Sequence, residues 1–410
     1  MTLMTIDSIA AGGEGVGRLP DGRVAFVSRT SPGDVVEVVE VDKKPRYVRA
    51  QVISLKTPGP DRVDPECVHY TRDGCGGCQL QHLAPKAQRN AKRRVVGDAL
   101  RRIAGLNIDD PEIVASDDGW RYRSKITLTA RTTQQGRRVF GLHRYAKPGV
   151  FEPSDCLITR ERVMALWGRL RDHGKFFPPN TESVTLREDR DGGCHVVFAA
   201  GTPPWDPRPL VQAVGDPDVS YWWRPSGGAA RVVAGPRTGF PALAFEQSNP
   251  VLADTIRRDA VSALGDIDGA VVWDLYGGVG DTASLLAARG ATAWSVDGDR
   301  AAKEWAGAHT PESVRHVTGR VETVLHQLDE PAAVVVNPPR AGLARPVVRH
   351  LNRWGAASAG RLLAYISCDP ATLARDVSRL TAFSVRRVVA YDLFPQTSHV
   401  ETLVVLDSPA

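Results

Sequence analysis

Hydrophobic and polar residues alternate in short runs over the first 57 residues. The runs GRVAFV, DVVEVVEVD and YVRAQVISL are rich in β-branched residues and are separated by glycine-containing turns. Such alternation is typical of strands with one buried face, and no helical period is visible there. We therefore predict a small β-barrel of about five strands over residues 1–57.

The middle of the chain combines one helical segment with further strands. Residues 85–104 carry apolar side chains at helical spacing, and Pro85 suits the first turn of a helix. We predict a helix over this segment. Residues 120–235 return to short alternating runs such as YRSKITLTA, SVTLREDR and CHVVFAA, which predict an antiparallel sheet with turns.

Beyond about residue 240, apolar runs alternate with helical segments. The runs are AVVWDLY, ATAWSVD, AAVVVN, RLLAYIS, VRRVVAYDL and ETLVVL. Strand–helix alternation of this kind is typical of a doubly wound α/β domain. We therefore divide the 410 residues into a β-barrel over 1–57, a central domain over 58–238 and an α/β domain over 239–410.

Membrane and secretory classes of protein do not fit the sequence. No run approaches the roughly 18–20 uninterrupted apolar residues of a membrane span. The N-terminal residues MTLMTIDSIAAGGEGVGRLP lack a basic start followed by an apolar core. We expect a cytoplasmic protein that does not partner a membrane.

Positive charge is concentrated in one stretch rather than spread along the chain. The net charge is only +5, but residues 119–147 contain eight basic residues and no acidic one. Four aromatic residues lie among them, namely Trp120, Tyr122, Phe140 and Tyr145. Arginine contacts to phosphate and aromatic stacking suit single-stranded or looped RNA. The alternative is a solvated basic sheet face with aromatic residues in the core.

A glycine-rich turn, DLYGGVGD, follows the apolar run AVVW and precedes a helical segment. Such a turn lets backbone N–H groups approach a ligand, and Asp297 at the end of the next strand suits ribose hydroxyls. Because GGVG lacks the G-x-G-x-x-G pyrophosphate pattern, S-adenosylmethionine fits better than NAD. Asn337, in the segment NPPRAG, ends the third strand at the same ligand-binding edge.

A cysteine and a glutamate are expected at that edge as well. Cys368, in YISCDP, follows the fourth strand, and Glu401 follows FPQTSHV at the last strand. Uracil C5 is too weak a nucleophile to attack a sulfonium methyl group, but thiolate addition to C6 makes C5 enolate-like. A carboxylate then removes the C5 proton and the cysteine leaves. A core cysteine and a solvated glutamate are the alternatives.

Four cysteines have the spacing of a ligand set. Cys67, Cys75 and Cys78 are grouped, and Cys156 follows after a gap. Four thiolates suffice for a [4Fe–4S] cluster or for structural zinc, and the three-plus-one spacing suits a cluster better because zinc ribbons usually contain two close pairs. Cys194 has no partner in this pattern and is expected in the core.

Taken in order, DLYGGVGD, NPPRAG, YISCDP and FPQTSHVE resemble the motifs of the uracil-C5 RNA methyltransferases, which make 5-methyluridine. The N-terminal β segment resembles the TRAM domain of many members, and CGGCQLQH resembles their iron–sulfur segment. The resemblance implies a Rossmann-like class I methyltransferase domain of the α/β class, an N-terminal TRAM/OB-like β-barrel and a central antiparallel-sheet domain. It also implies that helix 85–104 packs on the catalytic domain.

The same resemblance assigns roles to individual residues. Cys368 would be the nucleophile and Glu401 the base. The residues that would bind S-adenosylmethionine are Gln247, Tyr276, Gly277, Gly278, Gly280, Asp281, Asp297 and Asn337. The ligands of the [4Fe–4S] cluster, with zinc as the alternative, would be Cys67, Cys75, Cys78 and Cys156. RNA contacts are expected from Arg121, Arg123, Lys125 and Arg340.

Four positions depart from the family's usual residues, and one of them is Arg320, which follows Gly319 where the family more often has an acid. Asn337 stands where aspartate is usual, Asp369 where asparagine is usual and Asp297 where glutamate is usual. An amide at position 337 still donates and accepts hydrogen bonds, but it has no negative charge to attract a cation.

The sequence thus predicts a monomeric RNA (uracil-5-)-methyltransferase. The layout of a TRAM domain followed by a cysteine segment resembles that of the family members acting on large-subunit rRNA, which implies 23S rRNA as the substrate, with tRNA as the alternative. One rival is a cytosine-C5 RNA methyltransferase; those enzymes typically use two cysteines near the site, whereas this α/β domain contains only Cys368. The other rival is a noncatalytic RNA-binding iron–sulfur protein.

Overall fold

The computed structural model describes residues 1–409, which form three separate sheets. The N-terminal sheet is a closed five-stranded barrel in the order β1-β2-β3-β5-β4, as the alternation predicts. Alternate side chains such as Ile6, Val36 and Val48 fill its interior. Its strands are β1 (Thr2–Ile9), β2 (Gly15–Arg18), β3 (Val24–Val27), β4 (Val35–Lys43) and β5 (Tyr47–Thr57).

Two helices and one short strand follow the barrel. They are α1 (Val68–Thr71), α2 (Pro85–Arg102) and β6 (Glu112–Val114). The predicted helix is present, with Pro85 in its first turn. In the part of the chain that the structure describes, no helix is both long and apolar enough to cross a bilayer.

The central sheet has seven strands in the order β13-β12-β11-β10-β7-β8-β9. The prediction of a purely antiparallel sheet is wrong for β11 and β12, which pair in parallel because α4 crosses between them. Cys194 is buried in the core of this domain. The elements are β7 (Lys125–Thr132), β8 (Arg138–His143), β9 (Val150–Phe151), α3 (Glu161–Leu170), a 3₁₀ turn (Arg171–Phe176), β10 (Thr181–Glu188), β11 (Cys194–Ala200), α4 (Arg208–Val214), β12 (Val219–Arg224) and β13 (Arg231–Ala234).

The C-terminal part forms the predicted doubly wound α/β domain around an eight-stranded sheet. Its order is β16-β15-β14-β17-β18-β20-β19-β6, and β20 runs antiparallel to both of its neighbours. The elements are α5 (Pro250–Ser262), β14 (Val271–Leu275), α6 (Asp281–Ala287), β15 (Thr292–Asp297), α7 (Arg300–His309), β16 (Val314–Thr318), α8 (Val321–Val324), a 3₁₀ turn (Leu325–Gln327), β17 (Ala333–Val336), α9 (Arg345–Ala357), β18 (Leu362–Ser367), α10 (Pro370–Arg379), β19 (Ser384–Tyr391) and β20 (Glu401–Asp407).

Residues between the barrel and the central sheet complete the α/β domain. Val96 and Leu100 of α2 pack against Ala374 of α10 and Ala390 of β19. Strand β6 pairs in parallel with β19 and forms the edge of the sheet. The sequence predicted that only the helix packs on this domain. The contribution of strand β6 to the sheet was not predicted.

The strand order reverses between β14 and β17. In an open α/β sheet, ligands bind beyond the carboxyl ends of the strands at such a switch point. The ends of β14, β15, β17 and β18 carry the glycine-rich turn, Asp297, Asn337 and Cys368, so the fold gathers these predicted site residues at one edge.

Candidate active site

The register between β18 and β20 places Cys368 opposite Glu401. Ser367, the last residue of β18, pairs with Thr402 of β20. One residue beyond that pair, Cys368 leaves β18 where Glu401 enters β20. Residues opposite each other in an antiparallel pair have Cα atoms ~5 Å apart and side chains on the same face. The predicted nucleophile and the predicted base therefore converge.

The carboxyl group of Glu401 lies inside the protein, with 1% of the residue exposed. Gln247 Nε2 donates a hydrogen bond to Glu401 Oε1 at 3.3 Å, and Glu401 Oε2 has no partner within residues 1–409. Burial raises the pKa of Glu401 to about 8, against the opposing effects of Gln247 and of the Arg340 charge. A carboxyl group with this pKa exchanges a proton near neutral pH, as a general base must.

The thiol of Cys368 is half-buried beside Arg340 and Glu401. Burial raises the pKa of Cys368 and the charge of Glu401 adds to the effect, whereas the Arg340 guanidinium favours the thiolate. Arg340 is itself exposed. It therefore lies at the mouth of the site, where it can act on both the thiol and an incoming anion.

Buried hydrogen bonds fix the segment that carries Arg340. The carboxylate of Asp376, on α10, accepts hydrogen bonds from the Leu343 N–H at 2.7 Å and the Tyr365 hydroxyl at 2.9 Å. Arg375 donates to the Ala341 carbonyl at 2.7 Å. Asp376 has no signal in the sequence, because it lies on a helix outside every motif and its role depends on contacts across the fold.

The glycine-rich turn after β14 forms an open backbone cradle. Gly278 and Gly280 have φ values of +52° and +88°, which favour glycine. A Cβ atom on Gly277 would lie 2.3 Å from Asp274 Oδ2, so a side chain does not fit there. Gly278 has open space on its Cβ side, with the nearest atom, Phe245 O, at 4.0 Å. A ligand can thus approach the backbone of this turn closely.

Polar groups at the neighbouring strand ends surround this cradle. Asp297 Oδ2 accepts a hydrogen bond from the Gly278 N–H at 2.9 Å, which fixes the carboxylate beside the turn. Tyr276 is half-buried at the start of the turn, with a φ of +65°. The Asn337 N–H donates to the Leu275 carbonyl at 3.1 Å, which leaves its side chain at the same edge. This donor and acceptor set suits an adenosine-containing ligand.

Asp281 is engaged by the central domain. Arg190, from the loop after β10, forms an ion pair with Asp281 at 2.7 Å and with Glu246 at 2.6 Å. Burial acts to raise the pKa of Asp281, but the Arg190 hydrogen bond and the charge of Arg257 hold it below its usual value. Asp281 therefore joins two domains beside the cradle, and no sequence signal indicated Arg190 as its partner.

The four cysteines predicted as ligands line one cavity of about 510 Å³. Burial raises the pKa of Cys75 to about 11, and neighbouring Cys156 and Cys67 add to the effect, so the sulfur atoms lie within electrostatic reach of one another. No three potential ligand side chains of residues 1–409 converge closely enough to hold a single metal ion. Among the described residues, the four cysteines thus share the lining of a cavity but form no group that could hold a metal ion.

The predicted RNA-binding residues have different environments. Arg121 donates to Asp155 at 2.8 and 2.7 Å and to two backbone carbonyls, so its guanidinium holds the loop that contains Cys156. Arg123 donates to the Lys125 carbonyl at 2.8 Å. Lys125 is half-buried. Arg340 is exposed beside Cys368 and is therefore the best placed of the four for a substrate contact.

A groove of about 950 Å³ leads to Cys368. The barrel forms one wall, α2 forms another, and the catalytic domain forms the floor. Exposed basic residues of the two walls include Arg18, Arg46 and Arg94. This groove has no signal in the sequence, because its walls come from segments far apart in the chain.

Two family profiles match the sequence. One, described as tRNA (Uracil-5-)-methyltransferase, matches residues 302–408, and one described as TRAM domain matches residues 4–53. The first includes the NPPRAG segment, Cys368 and Glu401. The second covers most of the barrel, in agreement with the predicted TRAM/OB-like fold.

Similar proteins cover nearly the whole chain. An uncharacterised RNA methyltransferase of Streptomyces coelicolor is 33% identical over 99% of this chain and 92% of its own length. The 23S rRNA (uracil(1939)-C(5))-methyltransferase RlmD of Chromohalobacter salexigens is 30% identical over 99% of this chain and 90% of its own length. The Pyrococcus abyssi tRNA (uracil-54, C5)-methyltransferase, solved with S-adenosyl-L-homocysteine, has a TM-score of 0.71 at 22% identity, covering 98% of this chain and 99% of that one.

The raised pKa of Glu401 predicts that the difference in folding stability between Glu401→Gln and the unchanged protein depends on pH. The pKa of this carboxyl is about 8 in the folded chain, against 4.5 for an ordinary glutamate. As the pH rises between these values, the unfolded state loses a proton that the folded state keeps, so folding becomes less favourable. We expect Glu401→Gln to gain stability relative to the unchanged protein between about pH 5 and about pH 9, by on the order of 4 kcal/mol at most.

Thermal unfolding at the two pH values measures this difference. Glu304→Gln is the control, because Glu304 is an exposed partner of Arg300 and its stability difference should not change with pH. A stability difference for Glu401→Gln that is equal at both pH values would show that Glu401 is ionised in the folded protein.

Proposed function

Because the chain belongs to the family of S-adenosylmethionine-dependent RNA uracil-C5 methyltransferases, we propose that it methylates a uridine of 23S rRNA through a covalent bond to Cys368. The single observation that carries the mechanism is the placement of Cys368 opposite a buried Glu401 at the edge of the sheet. The monomeric state remains a prediction.

The choice of rRNA rests on the relatives that cover the whole chain. The relatives from Chromohalobacter salexigens and Halomonas elongata, both named for 23S rRNA, are 30% and 29% identical. The tRNA enzyme of known structure is only 22% identical and supports the fold. We therefore place tRNA second.

In the proposed reaction, Cys368 Sγ adds as a thiolate to C6 of the uracil ring. Electrons of the C5=C6 bond then form an enolate at C5, which is able to attack an electrophilic methyl group. Bound S-adenosylmethionine supplies that methyl group. The target base must leave its stack to reach Cys368, so we expect a flipped uridine.

Glu401 completes the reaction as the general base. Its carboxylate takes the C5 proton, the electron pair of the C5–H bond re-forms C5=C6, and Cys368 Sγ leaves as a thiolate. The Gln247 hydrogen bond to Oε1 orients the carboxylate and leaves Oε2 for the proton. A pKa of about 8 makes Glu401 a stronger base than an exposed glutamate, while a useful fraction is still ionised at neutral pH.

The residues at the edge fit S-adenosylmethionine. Gly277, Gly278 and Gly280 would admit it close to the backbone, and Asp297 would bind its ribose hydroxyls. The remaining members of the proposed set are Tyr276, Asp281, Gln247 and Asn337. In this set Asp281 would act through its ion pair with Arg190, by keeping the central domain against the site.

We propose a [4Fe–4S] cluster for the four-cysteine cavity. Four buried or half-buried thiols line the cavity, and Cys67 and Cys78 belong to an apolar cluster with Tyr70, Tyr122 and Ile158. Burial raises the pKa of the Cys75 thiol, so a thiolate without a cation is unfavourable at this site. The iron ions of a cluster would supply the positive charge that stabilises the thiolates. With all four cysteines used as ligands, the cluster would stabilise the fold and leave methyl transfer to Cys368.

The groove beside Cys368 is the proposed path of the RNA. Arg46 and Arg94 are exposed on its walls and form no salt bridge within residues 1–409. Tyr47 and Phe26, whose ring centroids are 5.6 Å apart, lie on the same wall and offer apolar surface to bases. In contrast, Arg62, which does not line this groove, forms an ion pair with Asp34 at 2.6 Å.

The covalent mechanism predicts opposite outcomes for two variants. Cys368→Ala should form no covalent RNA adduct and lose methylation by at least about a thousandfold, because the addition step is absent. Glu401→Gln should accumulate an adduct that survives denaturing electrophoresis, because elimination stalls. The measurement uses unmodified 23S rRNA and tRNA transcripts with labelled S-adenosylmethionine, and we expect the adduct with 23S rRNA.

Cys194→Ala is the matched control, since Cys194 is a core cysteine of the central domain. Normal turnover of Cys368→Ala would disprove the nucleophile assignment. Adducts formed with tRNA alone would instead contradict the choice of rRNA.

The cluster proposal predicts a brown protein with about four iron atoms per chain after anaerobic purification. Cys78→Ala should lose iron and unfold at a lower temperature, because one of four ligands is removed, whereas Cys194→Ala should keep its iron. Metal analysis and visible absorption provide the measurements. A colourless protein with one zinc ion per chain would contradict the cluster and indicate structural zinc at the four cysteines.

The RNA path predicts weaker and less salt-dependent binding for Arg46→Ala and Arg94→Ala. Loss of one phosphate contact should lower the slope of log affinity against log salt concentration by about one. Binding of the 23S rRNA transcript is measured over a range of salt concentrations. Arg208→Ala is the control, because Arg208 is equally exposed but pairs with Asp206 and does not line the groove. Unchanged slopes in both groove variants would contradict this path.

A further inference from the structure

A buried loop over residues 392–400 connects β19 to β20 and ends at Glu401. Asp392, Gln396 and Thr397 in this loop are only 3%, 6% and 2% exposed. Gln396 has a φ of +70°, a conformation that residues other than glycine keep only where their surroundings hold it. Contacts from other parts of the chain must therefore determine the shape of this loop.

Helix α2 holds the loop on one side. Lys92 Nζ donates to Asp392 Oδ1 at 2.6 Å and to the Phe394 carbonyl at 2.8 Å. Gln88 and Gln396 form a reciprocal pair. Gln88 Nε2 donates to Gln396 Oε1, and the Gln396 N–H donates to Gln88 Oε1, each at 2.9 Å. Gln396 is thus fixed through its side chain and its backbone at once.

The cysteine segment holds the same loop on the other side. Gln79 and Leu80 directly follow Cys78, and both donate their backbone N–H to the Gln396 carbonyl, at 3.1 and 2.9 Å. The Ser398 N–H donates to Gln79 Oε1 at 3.2 Å. The residues that follow a proposed cluster ligand therefore hold the loop directly.

The four-cysteine cavity and the proposed base are close along the chain. Ser398 lines that cavity together with Cys75 and Cys78. Glu401 follows Ser398 by three residues, roughly 10 Å of extended chain. Gln79 therefore links the cysteine segment by hydrogen bonds to the segment that leads to Glu401.

We infer that Gln79 and Gln396 are positioning residues that couple the cysteine segment to Glu401 and thereby control the elimination step. The inference rests on the proposed function, because it takes Glu401 as the base. Cys368 is held separately at the start of α10, where Asp369 Oδ1 accepts the Thr372 N–H at 2.8 Å. Disturbing the loop therefore affects the base more than the nucleophile.

Displacement of Glu401 would stop the reaction at one particular step. When Glu401 is displaced after methyl transfer, the C5 proton stays in place, the C5=C6 bond does not re-form and the bond between C6 and Cys368 Sγ remains. Methylated RNA then stays attached to the protein. A general loss of folded protein would lower the adduct and the product together, so accumulation of the adduct separates positioning from stability.

Three variants test the coupling in the full-length protein. Gln79→Met removes the acceptor for the Ser398 N–H at similar side-chain length, whereas Gln79→Glu, the matched control, retains it. Both variants lose the hydrogen bond that Gln79 Nε2 donates to the Gly76 carbonyl at 2.7 Å, so the comparison between them isolates the contact with Ser398. Gln396→Gly keeps the left-handed backbone and loses the side-chain contact with Gln88. The measurements are the adduct fraction during turnover with the 23S rRNA transcript, the methyl transfer in a single turnover, and the iron content.

We expect Gln79→Met and Gln396→Gly to accumulate about five- to tenfold more adduct than the unchanged protein, as for the loss of one positioning hydrogen bond. Gln79→Glu should stay within about twofold of the unchanged protein. Methyl transfer in the single turnover should be unchanged. Hydrogen exchange of residues 392–400 should be faster in Gln79→Met and also in the unchanged protein after iron chelation.

The inference is overturned if both Gln79→Met and Gln396→Gly show the adduct fraction of the unchanged protein. It is also overturned if adduct and single-turnover transfer fall together, because that result indicates a structural role alone. If Gln79→Met loses iron, Gln396→Gly decides, since it lies outside the cysteine segment. Failure of Glu401→Gln itself to trap an adduct would count against the proposed function instead.

Discussion

The antiparallel direction of β20 is the constraint on which the catalytic site depends. In the parallel part of the sheet, only the residues that leave a strand reach the ligand-binding edge. Because β20 runs the other way, its first residue, Glu401, lies at the edge where Cys368 leaves β18. A register slip of one residue would send one of the two side chains to the opposite face. Strand direction and register together therefore bring thiol and carboxyl into one site.

This arrangement requires a carboxyl group inside the protein, and segments from elsewhere in the chain keep it there. Gln247, before α5, supplies its hydrogen bond, and Arg340 supplies a nearby positive charge. Arg190 joins the central domain to the glycine-rich turn through Asp281. The α/β domain thus carries the residues assigned to chemistry in the proposed active site, and the central domain is held against it through Arg190.

The sequence was informative where a pattern is local. The strands β14, β15, β17 and β18 are buried on both faces, so they stand out as apolar runs. Strand β16 was missed because it is an edge strand whose Arg315 side is exposed. The acid-free stretch around Arg121 suggested RNA binding because Asp155, its partner, lies 34 residues further along. Likewise, the contact between Gln247 and Glu401 spans 154 residues and has no local signal.

Strand β6 has a consequence for how the protein folds during synthesis. Its partner in the sheet, β19, begins at Ser384, and their register pairs Glu112 with Val389. Contacts of such long sequence separation form late and carry a large loop-closure cost. The barrel can close as soon as residues 1–57 have left the ribosome, whereas β6 must wait until β19 has been synthesised about 270 residues later. Until then, its apolar residues are exposed to chaperones or to aggregation.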